Sequence, residues 1–341
     1  LTCCRENGVE PIVTMMHFTS PKWLIENGGW ENEATVEAFK NYCQYVTEQL
    51  GDLMHYVCTI NEANMGIQVA AISARYRAQM MAKMQRMQQG GAEEKKDLEG
   101  TAQVGMNFND MMANMQKQKE ENVEIFGTDT LQTFVSARTP EGDMLVIRAH
   151  QAARAAMKAV KPELQIGLTL SLHDIQAQEG GEETAAKEWV DEFTHYVPYI
   201  KEDDFFGLQN YSRSLIGPNG ILPVPEGAEI TQMDYEYYPE GLEHVIRRVY
   251  EEMPMPIMVT ENGIATADDT RRVAYIQTAM KGVENCIQDG IPVKGYMYWS
   301  MMDNFEWQKG FGMTFGLISV DRTTQTRTAK PSLTVLGNYT K

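Results

Sequence analysis

Two glutamates in this sequence each follow a short apolar segment. Glu62 lies in TINEAN (59–64) and Glu261 lies in VTENG (259–263). Two carboxyl groups that face one substrate can divide acid–base chemistry, with one ionised as a nucleophile and the other held protonated as a general acid. Glycoside hydrolysis uses this division. The pair therefore indicates glycoside cleavage, provided that the fold brings these distant residues together.

Further polar and aromatic residues end apolar segments in the same way, and they are His17, Asn61, Tyr211 and Trp299. Tyrosine and asparagine can donate hydrogen bonds to a carboxylate or to sugar hydroxyls, and tryptophan offers a flat apolar surface to the C–H face of a pyranose. Metal chemistry is the rival use of Glu and His. However, no HExxH pair occurs and His17 stands alone, so we predict no metal and no cofactor.

The charge balance excludes some partners. Asp and Glu number 47 against 30 Lys and Arg, which gives a net charge of −17. This charge repels phosphate backbones and anionic membrane surfaces, so we expect no nucleic-acid and no membrane partner. The apolar runs are also far shorter than the ~20 residues of a membrane helix.

Cysteine usage suggests a reducing compartment. The five cysteines are an odd number at scattered positions, which is not a disulfide framework. No signal peptide is visible, so we expect a cytoplasmic location, although a leader could precede Leu1 in a longer protein.

Short β-branched and apolar runs alternate with helical patterns along the chain. The predicted strands lie near 11–18, 54–61, 164–171, 204–211, 256–261 and 293–300. The predicted helices lie at 1–9, 33–50, 66–89, 141–160, 183–197, 239–252 and 268–289. Buried strands with helical crossovers predict a parallel sheet, either doubly wound and open or closed as a (β/α)₈ barrel. No strand is followed by GxGxxG or GxxxxGK[ST], so a nucleotide-binding sheet would lack its phosphate cradle.

The barrel alternative explains where the polar residues occur, because all carboxyl ends of the strands meet on one face of a barrel. We predict one partial barrel domain over 1–341, with a helical and loop excursion at 66–140. Its part at 90–140 is polar and is predicted to contain loops and short helices.

Several motifs resemble glycoside hydrolase family 1, the β-glucosidase family. They are HFTSPKWLIENGGW (17–30), TINEAN (59–64), FFGLQNYSR (205–213), VTENG (259–263) and YWSMMDNFEWQKGFGMTFGLISVD (298–321). The resemblance covers nearly the whole chain, and VTENG together with WSMMDNFEW is highly specific. It implies a (β/α)₈ TIM barrel and retaining hydrolysis of terminal β-glycosidic bonds.

The resemblance also implies a role for each matching residue. Glu261 matches the nucleophile and Glu62 the acid/base, with Asn61 at the sugar 2-hydroxyl. Tyr211 matches the tyrosine that hydrogen-bonds the nucleophile, and His17 the histidine of the innermost subsite. The remaining matches are Trp299 as a platform, Glu306 and Trp307 at the outer hydroxyls, and Phe315 closing that wall.

Glu306 bears on the substrate. A carboxylate there accepts hydrogen bonds from hydroxyls and repels phosphate, which disfavours 6-phospho-sugars. We expect cellobiose or aryl and alkyl β-glucosides as substrates. The alternative is a non-catalytic or weakly active barrel relic that binds sugar or only self-associates.

Two departures from the family pattern affect these expectations. Ala63 replaces the proline that follows the acid/base, which relaxes the backbone there. The match also begins at the family's third strand, so the first two βα units, which supply a glutamine and an arginine to the site, are absent from this chain. We therefore expect open sheet edges at 11–18 and 293–300, which a homo-oligomer could cover.

Overall fold

The computed structural model describes residues 1–88, 108–129, 131–307 and 309–340. They form two compact units, each built around parallel strands. The first draws on described residues within Leu1–Glu99, Asn114–Ser171 and Asp191–Phe205. The second draws on those within Gly100–Ala113, Leu172–Val190 and Phe206–Lys341.

The first unit contains a parallel sheet in the order β1-β2-β3. Its strands are β1 (Ile12–Met16), β2 (Tyr56–Ile60) and β3 (Gln165–Gly167), and β4 (Thr169–Ser171) follows β3 after one residue. Val57 of β2 is opposite Val13 on one side and Ile166 on the other. The burial of β2 on both faces explains its continuous apolar sequence.

The helices predicted at 1–9, 33–50, 66–89 and 141–160 occur in this part of the chain, together with three helices that were not predicted. They are α1 (Thr2–Glu6), α2 (Lys22–Glu26), α3 (Ala34–Leu50), α4 (Met65–Gln88), α5 (Phe108–Phe126), α6 (Pro140–Val160) and α8 (Val197–Ile200), with 3-10 turns at Gly29–Glu31 and Gly51–Leu53. Helix α3 buries Phe39 and Cys43 on one face, at helical spacing. Helix α6 begins at Pro140, and Thr139 caps it by accepting the Gly142 N–H at 3.0 Å.

The second unit contains the parallel strands β6 (Phe206–Gln209), β9 (Ile257–Asn262) and β10 (Val293–Tyr298) in the order β10-β9-β6. A second sheet joins β5 (Asp174–Ala177), β7 (Arg213–Gly217) and β8 (Gly220–Ile221), and β11 (Ile318–Val320) pairs antiparallel with β12 (Arg327–Ala329). The helices are α7 (Glu182–Trp189), α9 (Gly241–Glu252), α10 (Asp269–Gln288) and α11 (Pro331–Gly337), with a π turn at Val190–Thr194 and a 3-10 turn at Asn338–Thr340.

The predicted strands all occur, although the third is divided into β3 and β4 around Leu168. The sequence reasoning missed β5 and β7, which are short and rich in polar residues. The long helix predicted at 66–89 occurs as α4, whereas within 90–140 helix α5 is long where short helices were expected. Residues 89–107 and 130 lie outside the described residues. None of the described helices has the length and apolar character needed to cross a bilayer.

Strands β1 and β10 are each paired on one side only among the described residues. Strand β1 pairs with β2, and β10 pairs with β9. Nearly all of β9 is buried, whereas the residues of β10 are half-buried or exposed. The outer edge of β10 therefore leaves backbone groups available for pairing.

Candidate active site

Glu261 is held at the carboxyl end of β9 by a tyrosine from the end of the neighbouring strand. Tyr211 Oη donates a hydrogen bond of 2.6 Å to Glu261 Oε2. Both side chains are 8% exposed, so solvent weakens this contact little. A phenol that donates to a carboxylate favours its ionised form.

A buried network fixes the backbone on which this pair stands. Asn262 Nδ2 donates to the Asn210 carbonyl at 2.6 Å and to Tyr275 Oη at 3.0 Å. Tyr275 Oη in turn donates to the Tyr211 carbonyl at 3.0 Å. Tyr296 Oη donates to Asn262 Oδ1 at 2.8 Å. The strand ends that carry Tyr211 and Glu261 are thus linked through Asn262.

An aromatic wall packs against Tyr211. The Phe315 ring meets it edge-on at a centroid distance of 6.3 Å, and Tyr235 lies 6.4 Å away. Trp299 and Met313 pack against this cluster. The wall restricts the rotation of Tyr211 and keeps its hydroxyl directed at Glu261.

The segment that carries Phe315 is fixed on both flanks. The fully buried Arg272 donates to the Thr314 carbonyl and, at 2.6 Å, to the Thr266 carbonyl. On the other flank the Gly316 N–H donates to Asp303 Oδ1 at 2.8 Å. A Cβ at Gly316 would lie 2.1 Å from the Asp303 nitrogen, so only glycine fits there.

Glu306 lies in a tight turn of the same segment. Its N–H and carbonyl exchange hydrogen bonds of 2.7 Å with the backbone of Gly310. Its Oε2 is buried and has no hydrogen-bond partner among the described residues. Burial raises the pKa of the Glu306 carboxyl from 4.5 to about 7, and a hydrogen bond with the Trp299 side chain opposes the rise. Trp307 next to it is 43% exposed.

The first unit positions the other group of predicted site residues. Asn61 Nδ2 and His17 Nε2 lie 3.4 Å apart, and the Asn61 N–H donates to the Met16 carbonyl at 2.9 Å. Burial lowers the pKa of His17, which favours the neutral imidazole. Glu62 is 7% exposed, and its N–H donates to Thr169 Oγ1 at 2.9 Å.

The structure therefore assembles the predicted residues in two groups, one in each unit. His17, Asn61 and Glu62 form the first, and the second contains Tyr211, Glu261, Trp299, Glu306, Trp307 and Phe315. Sequence reasoning missed Thr169, Arg272 and Tyr275, and it assigned no role to Asn262. Asn262 stands inside VTENG, but nothing in the sequence singles out the other three. No set of three His, Cys, Asp or Glu residues in the described ranges is arranged to hold a metal ion.

Known proteins resemble this chain in sequence and in structure. The chain matches Glycosyl hydrolase family 1 over residues 1–339. Its sequence is 40% identical to that of the β-glycosidase BGL167. The crystal structure of BGL167 matches over 99% of this chain and 74% of that chain, with a TM-score of 0.81. The chain is 26% identical to a β-glucosidase of Agrobacterium sp. (strain ATCC 21400), over 96% of this chain and 71% of that protein. It is 25% identical to a 6-phospho-β-galactosidase of Lacticaseibacillus casei, over 96% of this chain and 75% of that protein.

Fold and comparisons together define a glycoside hydrolase of the (β/α)₈ TIM-barrel class that cleaves β-glycosidic bonds with retention. The chain belongs to glycosyl hydrolase family 1. The predictions of fold class, enzyme class and retaining β-glycoside hydrolysis are thereby confirmed. The alternative of a non-catalytic relic gains no comparable support.

The buried carboxyl of Glu306 predicts a pH-dependent stability. As the pH rises from about 4.5 to about 7, the unfolded chain releases the Glu306 proton while the folded chain retains it. The free energy of unfolding therefore falls across this window and stays lower above it. Glu306→Gln removes this loss, so we expect the variant to be more stable than the wild type above pH 7, by on the order of 2 kcal/mol.

Urea unfolding at pH 5 and pH 8 measures this difference. The exposed Glu251→Gln variant serves as the control and should follow the wild type at both pH values. Equal stability of Glu306→Gln and the wild type at pH 8 would contradict the electrostatic description of Glu306.

Proposed function

We propose that Glu261 is the nucleophile and Glu62 the general acid and base of a β-glucosidase. The hydrogen bond of 2.6 Å from Tyr211 to Glu261 carries this assignment, because it favours an ionised carboxylate at the strand end that matches the family nucleophile. Glu62, the glutamate of TINEAN, is 7% exposed, and this burial supports its assignment as the general acid and base.

The two carboxyl groups act in two steps. Glu261 attacks the anomeric carbon and forms a glycosyl–enzyme ester while Glu62 donates its proton to the departing oxygen. Glu62 then removes a proton from water, which attacks the ester and releases the sugar with its β configuration. Tyr211 holds Glu261 ionised and oriented before the first step.

The other residues are proposed to bind the glycone. Asn61 contacts the 2-hydroxyl, and the neutral His17 beside it contacts the sugar at the innermost subsite. Trp299 supplies the platform and Phe315 closes the wall. Glu306 and Trp307 bind the outer hydroxyls, and Glu306 Oε2, which has no hydrogen-bond partner in the described ranges, provides an acceptor for them.

We infer that the substrate carries a neutral sugar, such as cellobiose or an aryl or alkyl β-glucoside. A phosphate at the outer hydroxyls would meet the Glu306 carboxyl, which is ionised in part near pH 7 and more fully above it. The cation nearest in sequence, Lys309, already pairs with Asp234 at 3.2 Å. A 6-phospho-sugar would therefore lose solvation without gaining a new ion pair.

We also propose a cytoplasmic location and self-association. Cys43 and Cys286 are buried as thiols, which suits a reducing compartment. The one-sided pairing of β1 and β10 favours contact with a second copy of the chain. Nucleic acid and membranes are not proposed as partners, given the charge of −17.

Removing either carboxyl group tests the assignment. Glu62→Gln and Glu261→Gln should each lower kcat/KM on phenyl β-glucoside by at least about 10²-fold. Proton NMR of the wild-type reaction should show the β-anomer of glucose first. Glu251→Gln, at an exposed position, should leave the rate unchanged. Wild-type activity in either active-site variant would reject its role.

Tyr211→Phe tests the hydrogen bond to the nucleophile. The ring and its packing remain, so we expect kcat/KM to fall by about 10- to 10²-fold, as for a lost hydrogen bond to a charged group.

Tyr235→Phe is the matched control. Its hydroxyl has no hydrogen-bond partner among the described residues, and its ring lies against Tyr211. It should behave as the wild type. Equal losses in both variants would assign the effect to packing rather than to the bond.

The sheet edges predict concentration-dependent association. A monomer has a mass of 38.6 kDa, so light scattering coupled to size-exclusion chromatography should give a higher mass that rises with loading. A single 38.6 kDa species at all loadings would exclude self-association.

A further inference from the structure

The turn that carries Glu62 is bonded to β4 at successive residues. The Glu62 N–H donates to Thr169 Oγ1 at 2.9 Å, and the Ala63 N–H donates to the Thr169 carbonyl at 3.0 Å. Asn64 Nδ2 donates to the Ser171 carbonyl at 2.8 Å, while the Ser171 N–H donates to Asn64 Oδ1 at 3.1 Å. The turn and the strand thus form one rigid piece.

Glu62 itself has an unfavourable backbone conformation. Its φ is +43°, in the left-handed region that residues with a Cβ seldom adopt. Such a conformation persists where the surroundings overdetermine it, and it often marks a functional site. Here the Thr169 hydroxyl satisfies the amide of Glu62, and Arg138 Nη1 donates to the Ala63 carbonyl at 2.9 Å.

The same hydroxyl also reaches the neighbouring residue. Thr169 Oγ1 lies 3.3 Å from Asn61 Oδ1 and 3.4 Å from the Ile60 carbonyl, and its one proton is directed at these two acceptors. Thr169 is 1% exposed. One buried hydroxyl therefore accepts a hydrogen bond from the Glu62 amide and donates one to a residue that precedes Glu62. A threonine is suited to this arrangement, because its hydroxyl accepts and donates while its methyl group fills apolar space.

We propose that Thr169 is a positioning residue for Glu62. By accepting the Glu62 amide it holds the left-handed backbone, and so directs the carboxyl group toward the oxygen of the departing group. The inference rests on the proposed role of Glu62 as general acid and base. Thr169 acts through Glu62 and performs no chemical step itself.

Leaving-group dependence separates this role from a purely structural one. A departing 2,4-dinitrophenolate needs no proton, whereas a departing alkoxide does. A misdirected acid therefore slows alkyl β-glucosides selectively, and a misplacement of about 1 Å can cost 10²-fold. A variant that only unfolds more easily loses active enzyme equally for every substrate.

The test compares Thr169→Val with Thr169→Ser in the full chain. Valine keeps the shape but removes the hydroxyl, while serine keeps the hydroxyl. With Thr169→Val we expect kcat/KM for octyl β-glucoside to fall about 10- to 10²-fold, and that for 2,4-dinitrophenyl β-glucoside to stay within about threefold. Thr169→Ser should match the wild type on both. Circular dichroism establishes that each variant is folded.

A loss of equal size on both substrates, or a selective loss in Thr169→Ser as large as in Thr169→Val, would overturn the proposal. Thr169→Cys, with a weaker acceptor, provides the same comparison if the valine variant does not fold. Glu62→Gln is measured alongside. If it lacks leaving-group selectivity, the role of Glu62 fails; if it shows selectivity and Thr169→Val does not, only the role of Thr169 fails.

Discussion

The hydrogen bond between Tyr211 and Glu261 depends on two strand ends that cannot move apart. Tyr211 comes just after β6 and Glu261 near the end of β9, and the two strands pair in parallel. Asn262 and Tyr275 donate hydrogen bonds to the backbone carbonyls of Asn210 and Tyr211. The Phe315 ring packs against the side of the Tyr211 ring. A carboxylate that is 8% exposed is costly to ionise without such a donor. The surrounding network therefore serves mainly to keep one hydroxyl in place.

The first unit solves a related problem by binding the backbone of the turn that carries Glu62. Glu62 adopts a left-handed backbone conformation. The N–H groups of Glu62 and Ala63 both donate hydrogen bonds to Thr169 of β4. Ala63 stands where the resemblance implies proline, so the turn lacks a ring that would restrict its backbone. The hydrogen bonds to Thr169 and Arg138 supply the restriction instead. A flexible residue can stand beside a functional glutamate when the neighbouring strand binds the turn firmly.

Glu306 represents the opposite use of a buried carboxyl group. Its Oε2 lacks a partner among the described residues, and burial raises the pKa of the group to about 7. Such an acceptor destabilises the fold at neutral pH, which is a cost that functional sites commonly carry. This acceptor suits a surface that binds sugar, because sugar hydroxyls can donate hydrogen bonds to Glu306 Oε2.

The amino-acid sequence alone determined the alternation of strands and helices, since apolar periodicity reflects burial directly. It also placed Glu62, Glu261 and Tyr211 at strand ends, because those motifs are local. The tertiary structure was needed to reveal Thr169, Arg272 and Tyr275, whose partners lie far away in sequence and leave no local pattern. The left-handed backbone of Glu62 and the raised pKa of Glu306 likewise arise only when distant segments pack together, because strain and desolvation are properties of the folded environment and not of the residue type.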